Sequence, residues 1–272
     1  EMCIRDRCNM SEGIVILAHS TEQTIYKLND AVRNFSKTVR KHQTNHVEIC
    51  LVTHQAKWLE DCAEYVDHIV EFPFGDAGYE DGNTLKNLYQ LWHASPFERN
   101  LVCAVDTMIM QDPNEILRAL QGQPLVFASK SKTFNNKVVK NVGIIDVYEK
   151  LNLPRLLTDF WYFEKKTTQS WFDLLGMYSA NYIDVSRELG SFAPQKFDID
   201  IIVALTTDIA NMTNDVKDLG ILEYTDLAVH DNWPTHLNYW IKEELIKVEN
   251  FALGGLLHLG RYAPFREIHN EY

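Results

Sequence analysis

Three uninterrupted apolar runs, Gly13 to Ala18, Leu101 to Val105 and Leu125 to Ala128, mark the first half of the chain, and Val47 to Thr53, apolar but for Glu48 and Thr53, reads as a further strand. None alternates between apolar and polar, the pattern of a short strand buried on both faces of a parallel sheet. His68 to Phe72 reads as a shorter strand. Between these runs the period changes. Ile25, Leu28, Val32, Phe35 and Val39 step by three and four, and Ser20 with Gln23 offers that helix a capping box. Further helices are predicted from about Ala56 to Tyr65, and from Asn83 to Ala94 with Leu85, Leu88 and Trp92 inward and Pro96 ending it. Asp112 as N-cap, Pro113 at the first position, Glu115 completing a capping box and Gly122 beyond the end bracket a helix over Asn114 to Gln121. Strand and helix alternate, which predicts an α/β fold with right-handed crossovers and a mostly parallel, Rossmann-like sheet.

The second half has a different texture. Pro73 to Gly82 is glycine-rich and acidic, and Ser129 to Lys140 is basic and polar; both read as loops. Phe160 to Phe163 is aromatic and strand-like. From Thr168 to Tyr178 a helix carries Trp171, Leu174, Leu175 and Tyr178 on one face, a spacing that assigns them to the core rather than to a sugar-stacking platform. Another runs from Phe197 to Ala210, with Asp198 and Asp200 near its start, where carboxylates favour the dipole. Short antiparallel strands are predicted at Asp226 to His230, Asn238 to Ile241, Leu245 to Asn250 and Leu256 to Gly260. No internal repeat or biased linker interrupts residues 10–272, which read as one domain.

Composition narrows the function. A net charge of −12 argues against binding nucleic acid or an anionic membrane, so an anionic substrate needs a metal ion or a local basic pocket. No apolar run reaches the roughly 18 to 20 residues that span a bilayer, and no signal-peptide pattern is present, which makes a cytoplasmic location the expectation. The five cysteines lack metal-ligand spacing and suit a reducing compartment. Residues 1–9, EMCIRDRCN, resemble a translated sequencing-adaptor tail on a metagenomic reading frame and are expected to be a disordered, non-native leader.

Candidate chemistry gathers around three residues. Asp106 follows the run Leu101 to Val105, at the carboxyl end of a central strand, where open α/β sheets hold ligands. A purely turn-capping aspartate is the structural alternative. His230 lies in LAVHDNWP and His258 in LLHLGRYAPF. One carboxylate and one imidazole can bind a divalent cation when a ligand diphosphate and water supply the other oxygens. A hydrogen-bonded structural histidine is the alternative in both cases. Lys86, in the first turn of its helix, either points toward the strand tips or is solvated.

Taken in order, these features resemble the nucleotide-sugar glycosyltransferases of GT-A fold, closest to the glycogenin-like and bacterial lipopolysaccharide galactosyltransferase-like families. Their central motif is Asp-x-Asp-Thr, two apolar residues and often Asp-Pro shortly after. Asp106, Thr107, Met108 and Ile109 match from the second Asp, and Asp112-Pro113 follows, but Ala104 stands where the first Asp belongs. Their late His, Gly, Lys-Pro-Trp signature is matched by His258, Gly260, Pro264 and Phe265, with one residue fewer between His and Gly and with Ala263 replacing Lys. Thr158-Asp159 and the aromatic segment Phe160 to Phe163 fall where such enzymes carry an Asn-Ser-Gly stretch shaping the acceptor side.

The resemblance implies transfer of a sugar from a nucleotide-diphosphate donor to an acceptor glycan, protein or small molecule, with the anomeric configuration retained if the glycogenin-like kinship holds. It implies Mn²⁺ or Mg²⁺ held by Asp106 and His258, with Lys86 or Arg261 as added charge near the phosphates. Ala18, His19 and Ser20, with Asp106 and Thr107, would meet the nucleotide; Tyr26 is either a further contact there or a packing residue. Asp159 would be the acceptor-side general base or positioning residue, with Asp198, Asp200 and His230 a weaker acceptor-side set. The Ala104 replacement makes a catalytically degenerate nucleotide-sugar or glycan-binding protein the alternative. A Rossmann methyltransferase is disfavoured because Ala18-His19-Ser20-Thr21, and no Gly-x-Gly-x-x-Gly, follows the first strand.

Overall fold

The computed structural model describes residues 11–18, 25–55, 61–78, 83–132, 138, 142–190, 197–212, 223–226, 239–242, 245–248, 251–253 and 255–258. Its central sheet contains β1 (Glu12–Leu17), β2 (Glu48–Thr53), β3 (His68–Glu71), β4 (Arg99–Ala104), β6 (Leu125–Ala128) and β8 (Leu157–Glu164), in the order β3-β2-β1-β4-β8-β6. β1, β2, β3 and β4 pair in parallel, as their unalternated apolar runs predict. β8, the strand made by the aromatic segment, is inserted antiparallel between β4 and β6.

Both faces of this sheet are covered, so successive residues of each strand enter opposite cores. Ile14 and Ile16 of β1 pack with α1 (Ile25–His42) and α3 (Pro113–Leu120), whereas Val15 and Leu17 join Trp171 and Leu175 of α5 (Lys165–Ala180) and Ile201 of α7 (Ile199–Ile209). Gly13 allows a close approach: a Cβ there would lie 2.5 Å from the Phe97 ring and 2.8 Å from the Glu48 carbonyl oxygen. The aromatic segment splits in the same way. Phe160 and Tyr162 enter the first core; Trp161 stacks on Phe127 with centroids 5.3 Å apart, beside Phe163 and Trp171 in the second. The segment is thus wholly buried and does not shape an acceptor surface, because neighbouring strands pair with both its edges and a packed core covers each of its faces.

Asp112 N-caps α3 as predicted, but its side chain accepts from the Asn114 N–H, and it also receives the Thr44 hydroxyl at 2.7 Å, tying the α1–β2 loop to the start of α3. Gly122, with φ +82°, follows that helix. α4 (Val142–Leu151) and α6 (Tyr182–Leu189) lie on either side of α5 in the chain.

Two predicted helices are corrected. Of the stretch 56–65 the described part, 61–65, is a short 3₁₀ segment running into a turn. The segment predicted as Asn83 to Ala94 is a 3₁₀ helix, Thr84–Gln90, running into the short α2 (Leu91–Ala94). Leu88 is turned in as predicted, but two polar residues are turned in with it: Asn87 receives the Ala77 N–H at 2.8 Å, and Gln90 receives the Phe74 N–H and donates to the Gly75 carbonyl. Leu85 is left 41% exposed, contrary to its predicted inward place.

A second sheet orders β5 (Thr107–Met110), β13 (Gly255–His258), β9 (Tyr224–Asp226) and β7 (Ser131–Lys132), so the predicted loop after Ala128 contains a strand. β13 is antiparallel to β5 but parallel to β9, correcting the expectation of purely antiparallel late strands. β10 (Tyr239–Lys242), β11 (Leu245–Val248) and β12 (Phe251–Leu253) form an antiparallel meander. The residue 1–9 leader and the Ser20–Gln23 capping box lie outside the described residues.

Candidate active site

The parallel strands end at one edge, and the predicted site residues that are described collect there. β1 ends at Leu17, in register with Ala104 at the end of β4, and the Ala18 N–H donates to the Val52 carbonyl at 2.9 Å. The chain then turns at Val105 and Asp106 and enters β5 at Thr107. Thr107 is buried, and its hydroxyl donates back to the Ala104 carbonyl at 2.6 Å, which holds the turn carrying the half-buried Asp106.

β8 runs against β4, with Phe160 opposite Cys103, so Thr158 and Asp159 arrive beside the same end of β4. That antiparallel insertion is why an acid near the start of one strand lies at the same sheet edge as an acid just after the end of another. The N-terminus of α7 comes to the same place. Asp198 N-caps it, accepting from the Ile201 N–H at 3.2 Å, while Asp200 accepts from the Thr158 N–H at 3.0 Å and its hydroxyl at 2.7 Å. Asp198 thus does what the sequence expects of a helix-start carboxylate, whereas Asp200 turns aside to fasten β8 to α7.

Electrostatics separates these carboxyls. Burial raises the Asp200 carboxyl to about 7, with the negative charges of Asp159 and Asp198 adding to the shift and the Thr158 bonds opposing it. Burial also raises Asp198, against the backbone donors at Ile201 and Asp200. Tyr148 closes the back of this cluster, its hydroxyl donating to the Leu156 carbonyl; burial and the two aspartates push the phenol up. No element is predicted from the sequence at residues 142–151, and Tyr148 is not singled out there; the structure places it on α4. Lys86 stands over the Phe197 ring, 5.7 Å from its centroid, next to Asp198 in the chain.

His258 belongs to the same edge by register, since β13 places it opposite Thr107. An aspartate and a histidine one register step apart form a donor set suited to Mn²⁺ or Mg²⁺ when phosphate and water oxygens complete the shell. Among the described residues no three His, Cys, Asp or Glu side chains gather into a metal site. His19, Ser20, His230 and Arg261 lie outside the described residues, as does the side chain of Tyr26. Cys50, Cys62 and Cys103 are buried free thiols. No helix among the described residues is long and apolar enough to cross a membrane.

Neither a protein-family model nor a curated protein sequence matches the chain. Its architecture does match solved structures. Mouse xyloside xylosyltransferase 1 is 8% identical with a TM-score of 0.55, covering 92% of this chain and 98% of its own. An active-site mutant of the galactosyltransferase LgtC is 11% identical with a TM-score of 0.56, covering 95% of both chains. The bifunctional glycosyltransferase WbbM is 10% identical with a TM-score of 0.55, and the match spans 95% of this chain but 49% of WbbM. The chain therefore has the GT-A fold that its sequence resembles.

Proposed function

We propose that this protein is a metal-assisted glycosyltransferase that moves a sugar from a nucleotide-diphosphate donor to an acceptor. The observation that carries the reading is the gathering of Asp106, Asp159, Asp198, Asp200 and Lys86 at the carboxyl edge of a GT-A sheet, the edge at which open α/β sheets take ligands. A chain with net charge −12 repels a free diphosphate, so the site needs local positive charge. Asp106 and His258 would hold Mn²⁺ or Mg²⁺, which when bound neutralises the diphosphate oxygens as the sugar departs. Lys86 or Arg261 adds a second cation beside the leaving group. Ala18 follows β1 and Thr107 begins β5 at this edge, and with His19 and Ser20 they would meet the nucleotide.

On the acceptor side, Asp159 orients the attacking hydroxyl or takes its proton. Asp200, with a carboxyl near 7, can hold a proton at neutral pH and so keep two adjacent acids from both being charged. His230 is the remaining acceptor-side candidate. Retention of configuration is the outcome we assign by analogy with the fold. Buried free thiols support a reducing, cytoplasmic setting.

A specific residue favours a second reading. Ala104, at the end of β4, replaces a carboxylate of the motif, which would leave a protein that binds nucleotide sugars without turning them over. Donor hydrolysis without acceptor, measured over uridine and guanosine diphosphate sugars with and without Mn²⁺, tests the choice. Metal-dependent hydrolysis abolished by Asp106→Ala supports the transferase. Binding without hydrolysis supports the second reading, and no binding overturns both.

A further inference from the structure

A second cluster of charge lies at the opposite end of the central sheet from Asp106. α1 follows the carboxyl end of β1 in the chain and runs back to the start of β2, so its last turns and the residues that lead into β3 meet at the amino edge. There Ser36, Lys37, Arg40 and Lys41 of α1 face Glu64 and Tyr65 across a cavity of about 340 Å³. Ser36 and Arg40 stand one helical turn apart, as do Lys37 and Lys41, so the four make one patch. The lining carries three cations against one carboxylate, in a chain whose 38 acidic residues outnumber its 26 Lys and Arg.

Two members of the lining are held in place by the protein itself. Arg40 donates to the Asp67 carboxylate at 2.6 Å and to the Val47 carbonyl at 2.6 Å, which balances its charge and fixes the guanidinium. Tyr65 is hydrogen-bonded to Glu64, and its ring centroid lies 5.3 Å from the Arg33 guanidinium. Two others are not accounted for in this way. Lys37 is half-buried and makes no ion pair among the described residues. Ser36 is 1% exposed, and its hydroxyl has no hydrogen-bond partner among the described residues. Thr38, two residues on, donates its hydroxyl to the Phe35 carbonyl at 2.7 Å, the kind of bond a buried helical hydroxyl ordinarily makes. Cations in the last turn of a helix complement its dipole, which explains Arg40 and Lys41. It does not explain Lys37, which stands before that turn, or the hydroxyl of Ser36.

We propose that this cavity binds a phosphate group, with Lys37 and Lys41 as the charges that meet its oxygens and Ser36 as the hydroxyl donor at its floor. A lysine ammonium meets phosphate as a compact point charge with three donors, and the hydroxyl adds a directed hydrogen bond. The volume is at the lower end for small-molecule pockets and admits either the free ion or a phosphate carried on a sugar. The site is separate from the candidate active site, since it lies at the other edge of the sheet and needs no metal ion.

The test is calorimetric titration of the full chain in EDTA, which removes any metal-held phosphate at the carboxyl edge, with sodium phosphate and separately with a hexose monophosphate. Saturable binding is expected. Lys37→Gln should weaken it at least about tenfold and Ser36→Ala severalfold, while Lys166→Gln at an exposed position of α5 leaves it unchanged. Tighter binding of the hexose monophosphate identifies the occupant as a phosphorylated sugar, and equal binding identifies it as the free ion. In the unsubstituted chain phosphate should shield Lys37 from reductive methylation, read by mass spectrometry, with Lys166 reacting as before; that readout stands even if the substituted chains misfold. Absence of saturable binding by either probe, binding unchanged in Lys37→Gln, or equal methylation of Lys37 with and without phosphate overturns the assignment, and none of these outcomes bears on the transferase reading.

Discussion

One oxygen of Asp200 accepts two hydrogen bonds from a single residue, the N–H of Thr158 at 3.0 Å and its hydroxyl at 2.7 Å. That clasp joins the first residues of β8 to the first turn of α7 and sets Asp159 beside a second acid. Burial, reinforced by Asp159, raises the Asp200 carboxyl from 3.8 to about 7, so the folded chain binds its proton more tightly than the unfolded chain. The contribution is fully present below about pH 4 and is lost as pH rises toward 7. Asp200→Asn, which keeps an acceptor for Thr158, should flatten this decline and stabilise the protein at pH 8 by on the order of 2 kcal/mol, about half the nominal value because the residue keeps some contact with solvent. Urea unfolding across pH 4 to 8 checks it; an unchanged slope rules it out.

Asp112 behaves in the opposite sense. Desolvation pushes its carboxyl up, but donors from Thr44 and Asn114 outweigh that and bring it down to about 2. Its stabilisation is present above about pH 4 and lost as pH falls toward 2. Asp112→Ala removes both the cap of α3 and the clamp on the α1–β2 loop, and should cost about 1 to 2 kcal/mol at pH 7, with the difference from the unsubstituted chain narrowing at pH 2. Thermal unfolding at the two pH values measures it.

Trp161 is a core residue, so its variants should report stability and not acceptor choice. Trp161→Ala should cost about 3 to 5 kcal/mol, since its ring stacks on Phe127 and touches Phe163, Trp171 and Phe172. Trp161→Phe should fold and hydrolyse donor at the unsubstituted rate. A change in acceptor selectivity without a change in unfolding midpoint would contradict this assignment.

Lys86 separates packing from charge. Lys86→Met keeps an aliphatic stem over Phe197 and removes the ammonium. If that ammonium meets the donor diphosphate, nucleotide binding should weaken by about 1.5 to 3 kcal/mol with the unfolding midpoint nearly unchanged. Calorimetric titration with uridine or guanosine diphosphate decides it.

The apolar runs made β1, β2, β4 and β6 legible, because a strand buried on both faces is nearly continuously apolar and these runs are too short for helices. Asp106 was legible for the same reason: it is the first polar residue after such a run. The 3₁₀ segment over Thr84–Gln90 was not, because Asn87 and Gln90 are buried by bonds to the 73–78 loop, and periodicity weighs side chains only by their apolarity. Asp200 could be read as a helix-start acid but not as the partner of Thr158, which depends on where β8 is inserted. The pairing of His258 with Thr107 is a matter of register between distant strands, and no local pattern encodes it.

The pairing of β5 with β13 has a consequence for how the molecule is made. Thr107 and His258 are separated by more than half the chain, so closing that contact costs more loop entropy than pairing the parallel strands near the start, whose partners are closer in sequence. During synthesis β1 through β4 can associate while β13 is still inside the ribosome. The sheet edge that brings Thr107 opposite His258 is then assembled last, and an unfinished chain can own its whole parallel sheet while β5 still lacks the strand it pairs with.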